Sequence, residues 1–358
     1  MRAALELAAR GRGGVEPNPM VGAVIVRDGV EIARGWHKRF GGPHAEAEAI
    51  AAARAAGADV RGATMYVTLE PCCHHGKTPP CTDLLISEGI SRVVVAMIDP
   101  DAKVAGNGTK QLRAAGIDVT VGVCEGEARK MLAPYIKLRT EGRPWVICKW
   151  AQTADGYVAL PPGCGRWISG EKSRAYAHEL RGVCDGVCVG IGTVLADDPL
   201  LTNRSGRGRH PARLVLDSRL RTPPDCKLVV TAGRSPVIVA TTPAGLAANE
   251  AHAAKLRAAG VELVAIPAGA VGLRLDLLQE ELGRRQWTYL LVEGGAGVLR
   301  SFVLGNMADE VIVFVSRQKI GPAPALPRLD IGEVLKEVPM RQTESRSFDD
   351  DVMHRYVL

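Results

Sequence analysis

One imidazole, one carboxylate and two thiols occur here in an order that can build a hydrolytic metal site: His44, Glu46, Cys72 and Cys81. Zinc favours nitrogen and sulfur ligands in a tetrahedron, and three protein ligands leave the fourth position for water. A carboxylate kept outside that shell can carry protons. Taken singly the signals are weak, since a lone His-x-Glu means little and two cysteines flanking a proline-rich loop can be core thiols. Their joint occurrence, with each group beside a strand or a helix start, points to one zinc held by His44, Cys72 and Cys81. Cys73 is the competing thiol, but Cys72 directly follows Pro71 and is the expected ligand. Glu46 is the carboxylate in the proton-carrying place.

The elements that must position these groups can be read from periodicity and turn chemistry. Residues 3–10 read as a helix, 20–26 as a strand, and Asp28-Gly29 as a hairpin turn into a second strand, 31–37. A helix over 45–56, stopped by Gly57, places His44 and Glu46 at its first turn. Strands at 63–69, 92–98 and 118–123 alternate with helices at 81–87, 108–115 and 125–139, which predicts a largely parallel, doubly covered sheet. After a turn-rich boundary near Gly142 comes a second alternating set. Its strands fall near 146–151, 186–189, 213–216, 237–240, 261–266, 289–292, 311–315 and 352–358. Its helices fall near 171–180, 249–259, 275–284 and 298–304. Two α/β domains are expected, 1–142 and 143–358.

Composition narrows the class. The chain has 358 residues, 46% hydrophobic and 23% charged, as in a globular protein. No apolar run reaches membrane-span length and no secretory signal is visible, so no membrane association is expected. Nine scattered cysteines suit a reducing compartment, which predicts a cytoplasmic protein. The net charge of +6 fits attraction of phosphorylated small molecules. Nucleic acid is not an expected partner, because the basic residues are dispersed and aromatics make up only 4%. A homo-oligomer is expected.

Other polar residues can hold a flat heterocycle near the metal. Asn18 offers a donor and an acceptor between two prolines, although Pro-Asn-Pro also occurs as a plain turn. His37 ends the second strand, and Lys77 and Thr78 lie in the polar insertion between the thiols. The segments 17–22, 35–37, 44–46 and the block from Glu70 to Cys81 together resemble the bifunctional riboflavin-biosynthesis deaminase–reductase family. That resemblance implies a cytidine-deaminase-like three-layer α/β/α domain. It also implies that Asn18, His37, Lys77 and Thr78 contact a ribosylaminopyrimidine phosphate, with Asp99 as a further contact. His74 and His75 match family positions without a separate physical role.

In the second half, glycines follow two strands, at 190–192 and at 294–297, where backbone N–H groups can approach a phosphate. The full Gly-x-Gly-x-x-Gly fingerprint is absent because Arg300 takes its last position, which argues against a Rossmann domain. The segments 149–156, 190–199, 214–218 and 292–295 resemble the reductase domain of the same family, implying a dihydrofolate-reductase-like fold that uses NADPH. Carried over, Trp167, Thr193, Asp197, Ser218, Gly294, Gly295, Ala296 and Gly297 face the cofactor. Lys149, Arg181, Leu201, Arg204 and Glu293 face the substrate, the two arginines as natural phosphate clamps. The chain departs from the family pattern at Pro162 to Arg166, where an expected serine near Gly165 is missing, and at Gly321 to Pro327.

The reading is an enzyme of two consecutive steps: zinc-dependent hydrolytic deamination of a diaminopyrimidinone ribosylamine phosphate, then NADPH-dependent reduction of ribosyl to ribityl. One rival is a zinc nucleoside or nucleic-acid deaminase with a non-catalytic C-terminal domain. Another is a metal-stabilised binding protein, which has no need of Glu46 because a structural zinc site closes with a fourth ligand.

Overall fold

The computed structural model describes residues 1–74, 79–102, 104–165 and 167–358. The chain divides into two compact units, Met1–Gly142 and Arg143–Leu358. Among the described residues no helix is long and apolar enough to cross a membrane.

The first unit runs α1 (Arg2–Ala9), β1 (Gly22–Arg27), β2 (Val30–Trp36), α2 (Ala45–Ala55), β3 (Thr64–Val67), α3 (Cys81–Ser87), β4 (Arg92–Val95), α4 (Asn107–Ala114), β5 (Asp118–Val121) and α5 (Glu125–Glu141). Its sheet has the order β2-β1-β3-β4-β5. The sheet is mixed rather than largely parallel, because β1 runs antiparallel to both β2 and β3 while β3, β4 and β5 run parallel. Apolar alternation specifies a strand and its faces, but not its direction. The hairpin is built as expected, with positive φ at Asp28 and Gly29 (51° and 78°).

Alternate residues of β1 serve opposite faces. Ala23 and Ile25 join Met65, Val67, Val93 and Val95 in the main core, under Ala49 and Ile50 of α2 and Leu132 of α5. Val24 packs with Ala4 and Leu7 of α1. Full burial of Ile50 alone is worth about 1.5–3 kcal/mol. The absence of a side chain at Gly35 lets α2 lie against β2, since a Cβ there would come 2.3 Å from the Ala49 nitrogen and 2.6 Å from the Ala45 oxygen. That close seating fixes the start of α2, where the candidate ligand and proton carrier stand.

The second unit comprises β6 (Trp145–Gln152), α6 (Glu171–Val183), β7 (Gly186–Gly190), α7 (Ile191–Asp197), β8 (Ala212–Leu216), α8 (Lys227–Val230), β9 (Val237–Thr241), α9 (Pro243–Ala248), α10 (Glu250–Ala258), β10 (Val261–Ala265), α11 (Leu275–Arg284), β11 (Tyr289–Val292), α12 (Ala296–Leu304), β12 (Glu310–Ser316), α13 (Ile331–Glu337), β13 (Arg341–Phe348) and β14 (Asp351–Val357). Its nine-stranded sheet has the order β10-β9-β8-β7-β11-β6-β12-β14-β13. The strands from β10 to β12 are mutually parallel, and β14 and β13 close the edge antiparallel. Neighbouring residues of each central strand feed two separate cores, Cys188 and Val292 one and Val189 and Leu291 the other. Burial on both faces explains the near-continuous apolar strands. Val292 lies opposite Cys188 and Gly190 opposite Leu216. The carboxyl ends of β8, β7 and β11 therefore open together, the usual place for ligands in such sheets.

Candidate functional site

His44 is the N-cap residue of α2, Cys72 follows the end of β3, and Cys81 opens α3. Their ligand atoms lie within 4.8 Å of one another. Nδ1 of His44 is 3.5 Å from Sγ of Cys72 and 3.3 Å from Sγ of Cys81. Zinc bond lengths to sulfur and nitrogen imply a tetrahedral edge of about 3.6 Å, so the triangle has the size zinc demands. The Cys81 N–H donates to Sγ of Cys72 at 3.3 Å. That thiol is held well below its ordinary pKa by hydrogen bonds from the Cys81 thiol and from His44, which favours the thiolate that binds metal. Cys73 is outside the cluster, and burial raises its pKa.

Glu46, in the first turn of α2, is only 3% exposed, and burial pushes its carboxyl upward. It lines a cavity of about 290 Å³ together with Asn18, His37, His44, Cys72 and His74. His37 emerges just after β2, with Nδ1 2.8 Å from the Pro43 carbonyl and Nε2 3.2 Å from the Asn18 amide nitrogen. Burial lowers the His37 pKa, keeping the ring neutral. A carbonyl can only accept, so the proton sits on Nδ1 and Nε2 accepts from Asn18. Lys77, Thr78 and His75 lie outside the described residues.

A further part of the cavity wall is formed by Asp99, Asp101, Val104, Tyr135 and Arg139. Asp99 accepts from the Tyr135 hydroxyl at 3.0 Å and from the Asp101 N–H at 2.9 Å, and its burial raises its pKa to about 6. Glu70 braces this wall from the ligand loop. Its carboxylate accepts the N–H groups of Asp99 at 3.2 Å, Gly106 at 2.9 Å and Thr109 at 2.9 Å. Gly108 permits the approach, since a Cβ there would lie 2.1 Å from the Pro71 oxygen. Sequence reasoning assigned nothing to Glu70, Tyr135 or Arg139.

In the second unit, Arg181 of α6 donates through Nε to Glu293 at 3.1 Å and through Nη1 to the Thr202 carbonyl at 3.1 Å. Lys149 of β6 has a buried ammonium whose pKa is lowered by desolvation and sustained by the Glu293 charge. Two N–H groups of Arg204 converge on Nε2 of His178, at 3.2 and 3.0 Å, while Nδ1 of His178 lies 3.1 Å from the Thr202 carbonyl. Arg181, Glu293 and Arg204 are thus linked through the Thr202 carbonyl, which both Arg181 and His178 reach, with Lys149 in the field of Glu293; His178 has no sequence signal beyond its spacing from Arg181. Leu201 is buried with a strained φ of 52°.

The Gly295 N–H donates to Oγ1 of Thr193 at 3.1 Å, joining the start of α7 to the glycine loop before α12. A Cβ at Gly192 or Gly297 would meet nothing, leaving open backbone at that junction. Ser218 lies just beyond β8 and Asp197 ends α7. Trp167 is half exposed, with the Arg174 guanidinium over its ring at 5.1 Å. Among the described residues no hydrogen bond or ion pair joins Asp197 or Ser218 to the glycine loop. Open backbone beside a hydroxyl at the strand ends fits a dinucleotide phosphate.

Residues 1–97 match the cytidine and deoxycytidylate deaminase zinc-binding region, and residues 144–354 match the RibD C-terminal domain. The riboflavin biosynthesis protein RibD of Aquifex aeolicus is 39% identical over 99% of this chain and 96% of its own length. A diaminohydroxyphosphoribosylaminopyrimidine deaminase/5-amino-6-(5-phosphoribosylamino)uracil reductase from Thermotoga maritima superposes with a TM-score of 0.83, at 37% identity over 100% of this chain and 97% of that one. Acinetobacter baumannii RibD gives a TM-score of 0.86 at 33% identity, over 99% and 97% of the two chains. The expected fold classes hold, with a cytidine-deaminase-like first unit and a dihydrofolate-reductase-like second.

Proposed function

The chain belongs to the RibD family of bifunctional riboflavin-biosynthesis enzymes, a deaminase joined to a reductase, and from that premise we propose how its residues divide the work. The unit ending at Gly142 deaminates the diaminopyrimidinone ribosylamine phosphate, and the unit beginning at Arg143 reduces the ribosyl chain of the product. The observation that carries this reading is the ligand triangle of His44, Cys72 and Cys81 with buried Glu46 beside it in one cavity.

His44, Cys72 and Cys81 would hold zinc. When bound, zinc makes water acidic enough to act as a nucleophile near neutral pH. Glu46 takes a proton on its carboxylate and returns it to the ring nitrogen and the leaving amine. Its burial suits that task, because desolvation raises its pKa and so favours keeping the proton between the two transfers. Asn18 and His37 orient the ring edge, and Asp99 offers a further acceptor in the same cavity. Lys77 and Thr78 take the phosphate.

In the reductase, NADPH supplies a hydride. Thr193 and the loop Gly294, Gly295, Ala296 and Gly297 cradle its phosphates, with Asp197, Ser218 and Trp167 as further contacts. Arg219 and Arg221, both exposed just after Ser218, favour the 2′-phosphate over an unphosphorylated ribose. Arg181 and Arg204 bind the substrate phosphate, while Lys149, Leu201 and Glu293 complete the substrate side. Phosphorylated pyrimidines are the substrates, and the working form is a homo-oligomer in the cytoplasm.

The test is to incubate the zinc-loaded chain with the diaminopyrimidinone phosphate alone, with NADPH and with NADH, following ammonia and product mass. Ammonia should appear without cofactor, and the reduced product should need NADPH and form poorly with NADH. No ammonia in any arm would overturn the deaminase reading, and no reduced product with either cofactor the reductase reading.

A further inference from the structure

The ligand triangle and Glu46, as well as Asn18 and His37, all lie within residues 1–97, which match a zinc-binding region shared by cytidine and deoxycytidylate deaminases. The cavity has a second wall beyond that stretch: Asp99, Asp101, Val104, Tyr135 and Arg139. Chemistry common to many zinc deaminases comes from the first set. A preference for one ring over another therefore falls largely to the second.

Tyr135 and Arg139 stand one turn apart on α5, so their side chains share a face. The Tyr135 hydroxyl donates to both carboxylate oxygens of Asp99, at 3.0 and 3.3 Å. Nη2 of Arg139 donates to the Pro17 carbonyl at 3.1 Å, next to Asn18, and its Nε faces Asp101 at 3.7 Å. The guanidinium also lies over the Tyr135 ring at 5.3 Å. Two residues of one helix thus tie together the segment that carries Asn18 and the segment that carries Asp99, both of which line the cavity.

We propose that Tyr135 and Arg139 are specificity-determining positioning residues of the deaminase, holding Asp99 and Asn18 at the separation that admits a ring with an extra amino donor. The proposal rests on the diaminopyrimidinone reading above. A cytosine ring carries only the amino group that is removed, whereas a diaminopyrimidinone presents a second one to an acceptor wall. Asp99 supplies the acceptor, and its orientation depends on the Tyr135 hydroxyl. Without that hydroxyl the carboxylate keeps the Asp101 N–H as a partner but is no longer clamped on both oxygens.

The experiment uses the full zinc-loaded chain carrying Y135F, R139Q or R139K, with zinc content and reductase activity as controls for folding. Deamination kinetics are measured with the diaminopyrimidinone phosphate. Inhibition is measured with an analogue that lacks the extra ring amino group. Y135F and R139Q should raise KM about tenfold, the loss expected for a hydrogen bond to a charged group, with kcat within about twofold. The analogue should bind wild type and Y135F almost equally, and R139K should keep most of the affinity by preserving charge beside Asp101. Unchanged KM in both Y135F and R139Q would overturn the proposal. So would a parallel weakening of substrate and analogue, which is the mark of a merely structural role. Failure of the wild type itself to release ammonia would instead defeat the underlying reading.

Discussion

The side-chain amide of Asn18 stands 3.2 Å from Nε2 of His37, and the contact decides which atom of Asn18 is left for a ligand. Because Nδ1 of His37 is committed to the Pro43 carbonyl, Nε2 must accept, and the Asn18 amide nitrogen must donate. The Asn18 carbonyl oxygen is then the group free to meet a ring donor in the cavity. N18D replaces the donor with a carboxylate that faces a lone pair unless His37 gains a proton. Deamination kcat/KM should fall about tenfold or more near neutral pH, the cost of unmaking a buried hydrogen bond and repelling its partner. The ratio of variant to wild type should recover on acidification, since a carboxylate beside the imidazole raises its pKa. A ratio independent of pH would argue against this tautomer.

The thiols can be sorted by metal analysis. C72S and C81S should each lose most of their zinc, because a three-ligand site tolerates no missing thiolate. C73S should retain it, since Cys73 lies outside the cluster. Zinc retained in C72S but lost in C73S would transfer the ligand role to the neighbour.

Asp99 gives the stability a pH dependence with a definite sign. Its folded pKa of about 6 lies above the unfolded value near 3.9, so the folded chain is favoured while the group is protonated. That contribution is full below about pH 4 and is lost as the pH rises through about 6. D99N remains neutral throughout. Relative to wild type it should gain about 1–2 kcal/mol between about pH 5 and pH 7, measured by denaturant unfolding. A constant difference across that range would mean that the pKa of Asp99 is not raised on folding.

The catalytic half of the first site was legible because residue type carries its chemistry. A histidine, a glutamate and two thiols announce a metal, and alanine-rich 45–55 announces the helix that presents two of them. Glu70 was not legible in the same way. Its partners are main-chain N–H groups 29, 36 and 39 residues further on, which no side-chain pattern encodes. Tyr135 and Arg139 look in sequence like one core residue and one solvated charge of a long helix. The antiparallel setting of β1 was hidden because alternation has no direction. Strand β13 was missed for another reason, since seven of its eight residues face outward or nearly so and its pairing comes from the backbone of β14. Helix α7 lies inside the 190–199 motif, to which no element was assigned, and short α8, α9 and α13 bury too few residues to leave a periodic trace.

The central claim is that Glu46 carries the proton in a zinc deaminase joined to an independent reductase, and E46Q tests it most directly. The amide fills the same buried space but cannot shuttle a proton. At equal zinc content, ammonia release from the diaminopyrimidinone phosphate should fall roughly 10²–10⁴-fold, while reduction of pre-deaminated substrate with NADPH stays at the wild-type rate. Near-normal ammonia release by zinc-loaded E46Q would contradict the account.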